Sequence, residues 1–262
     1  MSLRAMQRTR PAAAPSGKIE GHSRRSGPLS LVVRRRRWGL QTGIGRRLRG
    51  GRSGAASAVG LLAVVLDLWL AWLNRYPESI EGRWAAGLTA LAALTWLSDG
   101  DLPTLGLVPP AGGWRRWAGL AALLGVVAAA CMGAAAGLWV AAGWRLPVQA
   151  VAPSQVGPAL LRMCVFAPLL EESLYRVALC VPLARAVGPW AAVTASAAAF
   201  GLLHVAYGHP SPENLLGGFF LAWAYLRSGS VFVPVALHAI GNLLILIGQV
   251  GVWYWAEALA SP

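Results

Sequence analysis

Seven apolar runs separated by short polar breaks fill most of the chain, at about 55–74, 84–98, 117–143, 157–184, 189–207, 213–227 and 230–248. A hydrocarbon layer ~30 Å thick needs roughly 20 apolar residues per helical crossing, and inside it the backbone must satisfy its own hydrogen bonds. A mean hydropathy of +0.53 puts the 262-residue chain beyond ordinary soluble domains. The expected fold is all-α, a polytopic transmembrane helical bundle of about seven or eight helices. The second run is short for a full crossing, which implies little tilt or a partly re-entrant path. Gln249 to Ala260 is the source of the eighth helix, as an extension of the last one, a separate short helix, or an interfacial segment with Trp253, Tyr254 and Trp255 at headgroup depth.

Charge is distributed just as unevenly. Fourteen of the 23 Lys and Arg fall in residues 1–54 with Glu20 as the only acid, so this segment carries the whole formal charge of +13. The remaining nine bases are offset by nine acids. Residues 1–54 are Arg-rich, contain Gly, Ser and Pro, and lack a sustained apolar period, so they are expected to form a disordered basic tail. Residues 55–262 then form the transmembrane helical domain. A basic tail favours a cytoplasmic N-terminus in contact with anionic lipid over a nucleic-acid-binding arm, and no nucleic-acid partner is expected. Arg115, Arg116, Arg185 and Arg227 then fall on the tail's side, and Arg75, Arg83 and Arg145 on the other, the first two offset by Glu78 and Glu81.

Several polar or small residues in the apolar runs have packing roles as their simplest reading. Gly133 to Gly137 forms a Gly-Ala-Ala-Ala-Gly stretch that would let another helix approach closely. Asp67, near Trp69 and Trp72, reads as a partnered or interfacial polar residue rather than a catalytic one. Cys131, Cys164 and Cys180 are odd in number and lie among apolar residues, which predicts small buried hydrophobes and no disulfide framework.

One constellation resists that treatment. Glu171, Glu172 and Arg176 lie in the fourth run, Phe200 and His204 in the fifth, and His238 and Asn242 in the seventh. A charged side chain at mid-bilayer costs ~2.5–3.5 kcal/mol on insertion scales, so these groups must face a bundle interior or water. At ~100° per residue, Arg176 lies about 40° around a helix from Glu172 but about 140° from Glu171. The ion pair therefore belongs to Glu172, and Glu171 is left free to take a proton from water. Pro168 removes a backbone hydrogen bond just upstream and loosens the helix there. One imidazole can hold a water with Glu171, while a second imidazole and an amide N–H can donate to an oxyanion. The competing reading is a buried polar network that locks the bundle.

In order, Glu171-Glu172-Ser173-Leu174-Tyr175-Arg176 resembles the EExxxR motif, Phe200-Gly201-Leu202-Leu203-His204 the FxxxH motif, and His238-Ala239-Ile240-Gly241-Asn242 the HxxxN motif of the CPBP (Abi) family. That family includes the CAAX-prenyl endopeptidases and bacteriocin-immunity-type membrane proteins. The resemblance covers about 155–248. It implies an all-helical, glutamate-dependent intramembrane endopeptidase with a cavity open to the membrane, and no departure is found within the three motifs. Glu171 and His204 would activate water, His238 and Asn242 would stabilise the oxyanion, Glu172 and Arg176 would orient and support, and Phe200 would pack the site.

The expected function is hydrolysis of a peptide bond in a membrane-associated protein or peptide. The expected partners are a substrate with a hydrophobic or lipidated C-terminal segment and membrane lipids. No cofactor is expected. Zinc ranks second, because two His and carboxylates could ligate it but the HExxH spacing of common zinc proteases is missing. Rival functions are a non-catalytic immunity or peptide-binding protein and a proton-coupled transporter, though no pair of broken helices in matching halves supports the latter. His209, in a turn-like break, is expected to be solvent-exposed. An Ala-, Arg-, Gly- and Trp-rich composition points to a GC-rich bacterium, and hence to a multi-pass protein of the cytoplasmic (inner) membrane.

Overall fold

The computed structural model describes residues 43–74, 80–143, 149–208 and 212–260. Among them the chain is all-α and contains seven helices in sequence order. They are α1 (Gly51–Asn74), α2 (Ile80–Leu97), α3 (Trp114–Ala141), α4 (156–186), α5 (Pro189–Ala206), α6 (Pro212–Ser228) and α7 (Phe232–Ala260). Each coincides with one apolar run to within a few residues, except that Gln249–Ala260 continues α7 as one helix. A short 3₁₀ turn, Leu102–Leu105, links α2 to α3, capped by the Asp101 carboxylate accepting from Thr104 N–H. Four helices are long and apolar enough to cross a membrane: α1, α3, α5 and α7. α2 does not reach that measure, in keeping with its short run.

α4 is the centre of the bundle. Its middle segment packs against α1, α2, α5 and α6, and its first half packs against α7. Leu170, Leu174, Tyr175, Val177, Ala178 and Cys180 are all buried there, in one core with Val64 and Ala71 of α1 and Leu94 of α2. Gly60 of α1 makes the closest approach: a methyl group at that position would lie 1.9 Å from the Ala178 carbonyl oxygen, so only glycine allows this helix contact.

The folded domain begins earlier than the expected boundary at residue 55. Gly43 to Gly50 form turns, Ile44 and Leu48 are buried, and Gly45 N–H donates to the Thr104 carbonyl at 2.8 Å. Glycines with positive φ at 43, 45 and 50 let this segment turn twice in eight residues, so its two apolar side chains point inward while Arg46, Arg47 and Arg49 point out. Residues 1–42 of the expected tail, together with Arg75, Glu78, Arg145 and His209, lie outside the described residues.

Two packing expectations also need correction. A methyl group added at Gly133 or Gly137 would meet nothing within 4 Å, so among the described residues no helix packs closely on the small-residue face of α3. α3 instead packs on α7, with Trp117 against Trp223 of α6 edge to face. Of the cysteines only Cys180 is buried; Cys131 is exposed and Cys164 half-buried. Hydropathy locates an apolar helix without saying which of its faces meets protein and which meets lipid.

Candidate active site

The winding of α4 changes twice around the glutamates. Leu161–Phe166 and Ser173–Cys180 are wound as π-helix, and Glu171 and Glu172 end the ordinary α-helical turn between them, Ala167–Glu172. Each π segment is followed at the second residue by a proline, Pro168 or Pro182. A proline inside a helix has no N–H to give and crowds the carbonyl four residues back, and a widened turn relieves that crowding. The sequence accounts for the loosened helix in this way, although a break of helix type both before and after the glutamates is not visible from Pro168 alone.

The expected ion pair is present. Arg176 Nε lies 2.9 Å from Glu172 Oε2, with both side chains fully buried. It is a close contact of opposite charges rather than an aligned hydrogen bond, and Arg176 Nη2 has no hydrogen-bond partner among the described residues. The guanidinium lies over the Phe200 ring, 4.7 Å from its centroid, and Nη1 reaches Ser196 Oγ at 3.5 Å. Phe200 therefore does more than fill space: its π face carries part of a buried cation.

His238 joins both carboxylates. Its Nδ1 is 2.9 Å from Glu172 Oε1, and its Nε2 is 3.8 Å from Glu171 Oε2. The first is a hydrogen bond, in which the Nδ1–H donates to the carboxylate that Arg176 also contacts. The second is beyond hydrogen-bond range but within strong Coulombic range. A neutral His238 thus presents a lone pair on Nε2 towards Glu171, and a protonated one presents a donor.

His204 and Asn242 are placed differently. His204 Nδ1 lies 2.9 Å from the Phe200 carbonyl, which can only accept, so Nδ1 holds the proton and the neutral ring keeps a lone pair on Nε2. Its ring sits 4.6 Å from that of Phe200, which is also 5.7 Å from His238, so Phe200 stands against both imidazoles. Asn242 Nδ2 donates to the Met163 carbonyl at 2.6 Å, which commits one of its two amide hydrogens to α4. Glu171, Glu172, Arg176 and His238 thus form one contiguous cluster, His204 joins it through Phe200, and Asn242 is anchored beside it.

Sequence reasoning missed Ser196, Tyr175 and Arg83. Ser196 is buried and donates to the Tyr175 carbonyl at 2.8 Å, inside the second π segment. Its signal was the i, i+4, i+8 spacing Ser196, Phe200, His204 along one face of α5. Tyr175 hydroxyl donates to Asp67 Oδ2 at 2.8 Å while its ring meets Phe200 edge to face. Asp67 also accepts from Arg83 Nε at 2.6 Å and Nη2 at 3.2 Å, so it is the partnered residue expected, and Arg83, which was read as part of a polar break, is its buried partner on α2.

Among the described residues no three His, Cys, Asp or Glu side chains are grouped to hold a metal.

An all-α bundle with a charged cluster of two carboxylates, a guanidinium and an imidazole at its centre defines a polytopic membrane protein with a buried polar site. Residues 153–244 match the family model described as Rce1-like, type II CAAX prenyl endopeptidase Rce1-like. This segment contains all three motifs and bears out the resemblance to the CPBP family. The family is one of membrane endopeptidases. No curated protein and no solved structure matches the chain.

Proposed function

We propose that the protein is an intramembrane endopeptidase that splits a peptide bond with a water activated by Glu171. The observation that carries this reading is His238 set between Glu172 at 2.9 Å and Glu171 at 3.8 Å, with Glu172 already paired to Arg176. Arg176 neutralises one carboxylate only, so the site retains a second one as a base. In the reaction, water oxygen adds to the substrate carbonyl as Glu171 takes its proton. The C–N bond then breaks, and Glu171 returns that proton to the leaving amine. His204 Nε2, the free lone pair of its ring, orients the water. His238, through Nε2, and the second N–H of Asn242 stabilise the tetrahedral oxyanion.

The substrate fitting such a site is a membrane-associated protein or peptide with a hydrophobic or lipidated C-terminal segment. Maturation of a sorted or secreted protein, processing of a signal-bearing precursor and self-immunity to a peptide all suit a bacterial chain of this composition. The setting is the cytoplasmic membrane of a bacterium, with the basic N-terminus on the cytoplasmic side in contact with anionic lipid.

The test is Glu171→Gln, which preserves shape and removes the base. A protease loses conversion of its precursor in the membrane, whereas a non-catalytic binder or immunity protein of the same family retains protection. Activity that persists after complete chelation would leave the glutamate mechanism standing; activity restored only by added zinc would replace it with a metal-dependent one.

A further inference from the structure

The two π segments of α4 end in the same way. The first closes with the Ala167 N–H on the Arg162 carbonyl, five residues back, and the second with the Val181 N–H on the Arg176 carbonyl. The next bond in each series would come from a proline nitrogen, Pro168 or Pro182, and would go to Met163 or Val177. Proline has no hydrogen to give. At Met163 the alternative donor four residues on is Ala167, whose N–H is already bound to Arg162. The helix therefore leaves the Met163 carbonyl without a main-chain donor, in a part of the bundle where a bare carbonyl is costly. Asn242 Nδ2 lies 2.6 Å from this oxygen.

Asn242 stands one turn after His238 on α7, so one face of that helix grips α4 at two points, His238 at Glu172 and Asn242 at Met163. What lies between them is the change from π to α winding. Each residue of an α-helix turns the chain by ~100°, so a one-residue slip in the upstream π turn would bring Glu171 to where Glu172 meets His238. With two glutamates side by side, the winding at 161–166 decides which carboxylate is paired and which is left over.

We propose that Asn242 is a positioning residue that supplies the hydrogen-bond donor missing at Pro168, and that Pro168 and Asn242 together fix the register presenting Glu171 rather than Glu172 as the unpaired carboxylate. The structural part stands on the backbone bonds alone; its consequence for turnover rests on the protease reading above.

The test uses the full-length protein in bilayers, labelled with [1-¹³C]methionine, which marks four carbonyls. Infrared spectra and melting temperatures are compared for wild type, Asn242→Ala, Asn242→Asp, Pro168→Ala and the Pro168→Ala/Asn242→Ala pair. Both Asn242 variants should move one labelled carbonyl band to higher wavenumber and lower the melting temperature. Adding Pro168→Ala should move the band back and restore the melting temperature, because alanine at 168 brings the absent N–H. Turnover of a precursor that the wild type cleaves should fall by about 10²-fold or more in Asn242→Ala and recover only in part in the pair, which regains the register but still lacks the amide that donates to the oxyanion. An unmoved band in Asn242→Ala, or losses that add in the pair, would overturn the proposal. If the pair does not fold, the band in the single variants decides. A protein whose band shifts and reverses while Glu171→Gln leaves processing intact would keep this assignment and lose the protease reading.

Discussion

Two buried ionic clusters flank the middle of α4, and they differ in how their charges balance. At the α1–α2 side, Asp67 meets Arg83 through two nitrogens and the Tyr175 hydroxyl closes the remaining side, one negative charge against one positive. At the α5–α7 side, Arg176 pairs with Glu172 alone, and His238 lies between Glu172 and Glu171. Tyr175 belongs to both, with its hydroxyl on Asp67 and its ring on Phe200. A balanced and fully bonded pair resists any change of state and is suited to holding helices together. A cluster with one carboxylate more than its guanidinium is costly to bury and leaves that carboxylate outside the ion pair. Charge surplus, rather than burial, separates the proposed catalytic cluster from the strut.

Removing one carboxylate from each cluster should produce the largest and most opposite effects. Glu171→Gln should lower cleavage by ~10²–10⁴-fold, the usual weight of a positioned base, while the melting temperature holds or rises because a surplus charge has gone. Asp67→Ala should do the reverse. It strands the Arg83 guanidinium in the bundle and should cost ~3–5 kcal/mol of stability in denaturation experiments. Replacing Asp67 and Arg83 together by Leu and Met should recover most of that loss, since a buried pair is often no better than apolar residues of similar size. A result in which Glu171→Gln unfolds the protein and Asp67→Ala spares it would invert the assignment.

A smaller effect tests whether α1 is what holds the strut in place. Gly60 lies two turns before Asp67, against the Ala178 carbonyl, so Gly60→Ala forces the helices apart by the width of a methyl group. Overpacking of this kind costs ~1–3 kcal/mol. Since α1 carries Asp67, the same shift should weaken the Tyr175 to Asp67 hydrogen bond, and a double-mutant cycle of Gly60→Ala with Tyr175→Phe should show coupling between the two sites.

The helices and the seven motif positions were legible because both depend on local rules. Apolar run length gives helices, and the i,i+4 geometry that assigned Arg176 to Glu172 needs nothing beyond helical periodicity. What lay out of reach depended on contacts between helices. Arg83 looked like part of a polar break because its partner, Asp67, is sixteen residues away and on another helix. His238 was expected to serve the oxyanion, yet the register of α7 against α4 also makes it a bridge between two carboxylates, and no intrahelical pattern encodes that register. The π winding had a local cause in Pro168 and Pro182, but its consequence, a carbonyl at Met163 met by Asn242, involves helices 79 residues apart in sequence. The boundary at residue 55 was set too late for a related reason: Ile44 and Leu48 are two apolar residues among arginines, and their burial, with the Gly45 bond to Thr104, shows that the packed chain reaches back at least that far.

The smallest effect belongs to a third ionic pair, outside the membrane-spanning helices, which serves as the exposed counterpart of the two buried ones. Arg46 Nε donates to Asp101 Oδ2 at 2.9 Å and Nη2 to Oδ1 at 2.6 Å, and Asp101 also accepts from the Thr104 hydroxyl at 2.6 Å. The hydrogen bonds from Arg46 first, and those from Thr104 next, hold the Asp101 carboxyl well below the usual carboxylate range. A carboxyl whose folded value is depressed adds stability that is fully present above its unfolded value of about 3.9 and is lost as pH falls from there through the folded value. Asp101→Asn should therefore lower the melting temperature slightly at neutral pH, and the difference from wild type should shrink as pH drops below about 4. Arg46 borders an open basic cavity of about 420 Å³ lined also by Arg47, Arg49, Arg52 and Asp99, so ions reach the pair freely. Raising salt to about 1 M, where the screening length is ~3 Å, should erase most of the Asp101→Asn effect while leaving that of Asp67→Ala almost unchanged. Equal salt sensitivity in the two variants would mean that the Asp67 cluster is reached by solvent, and the distinction between strut and surface pair would fail.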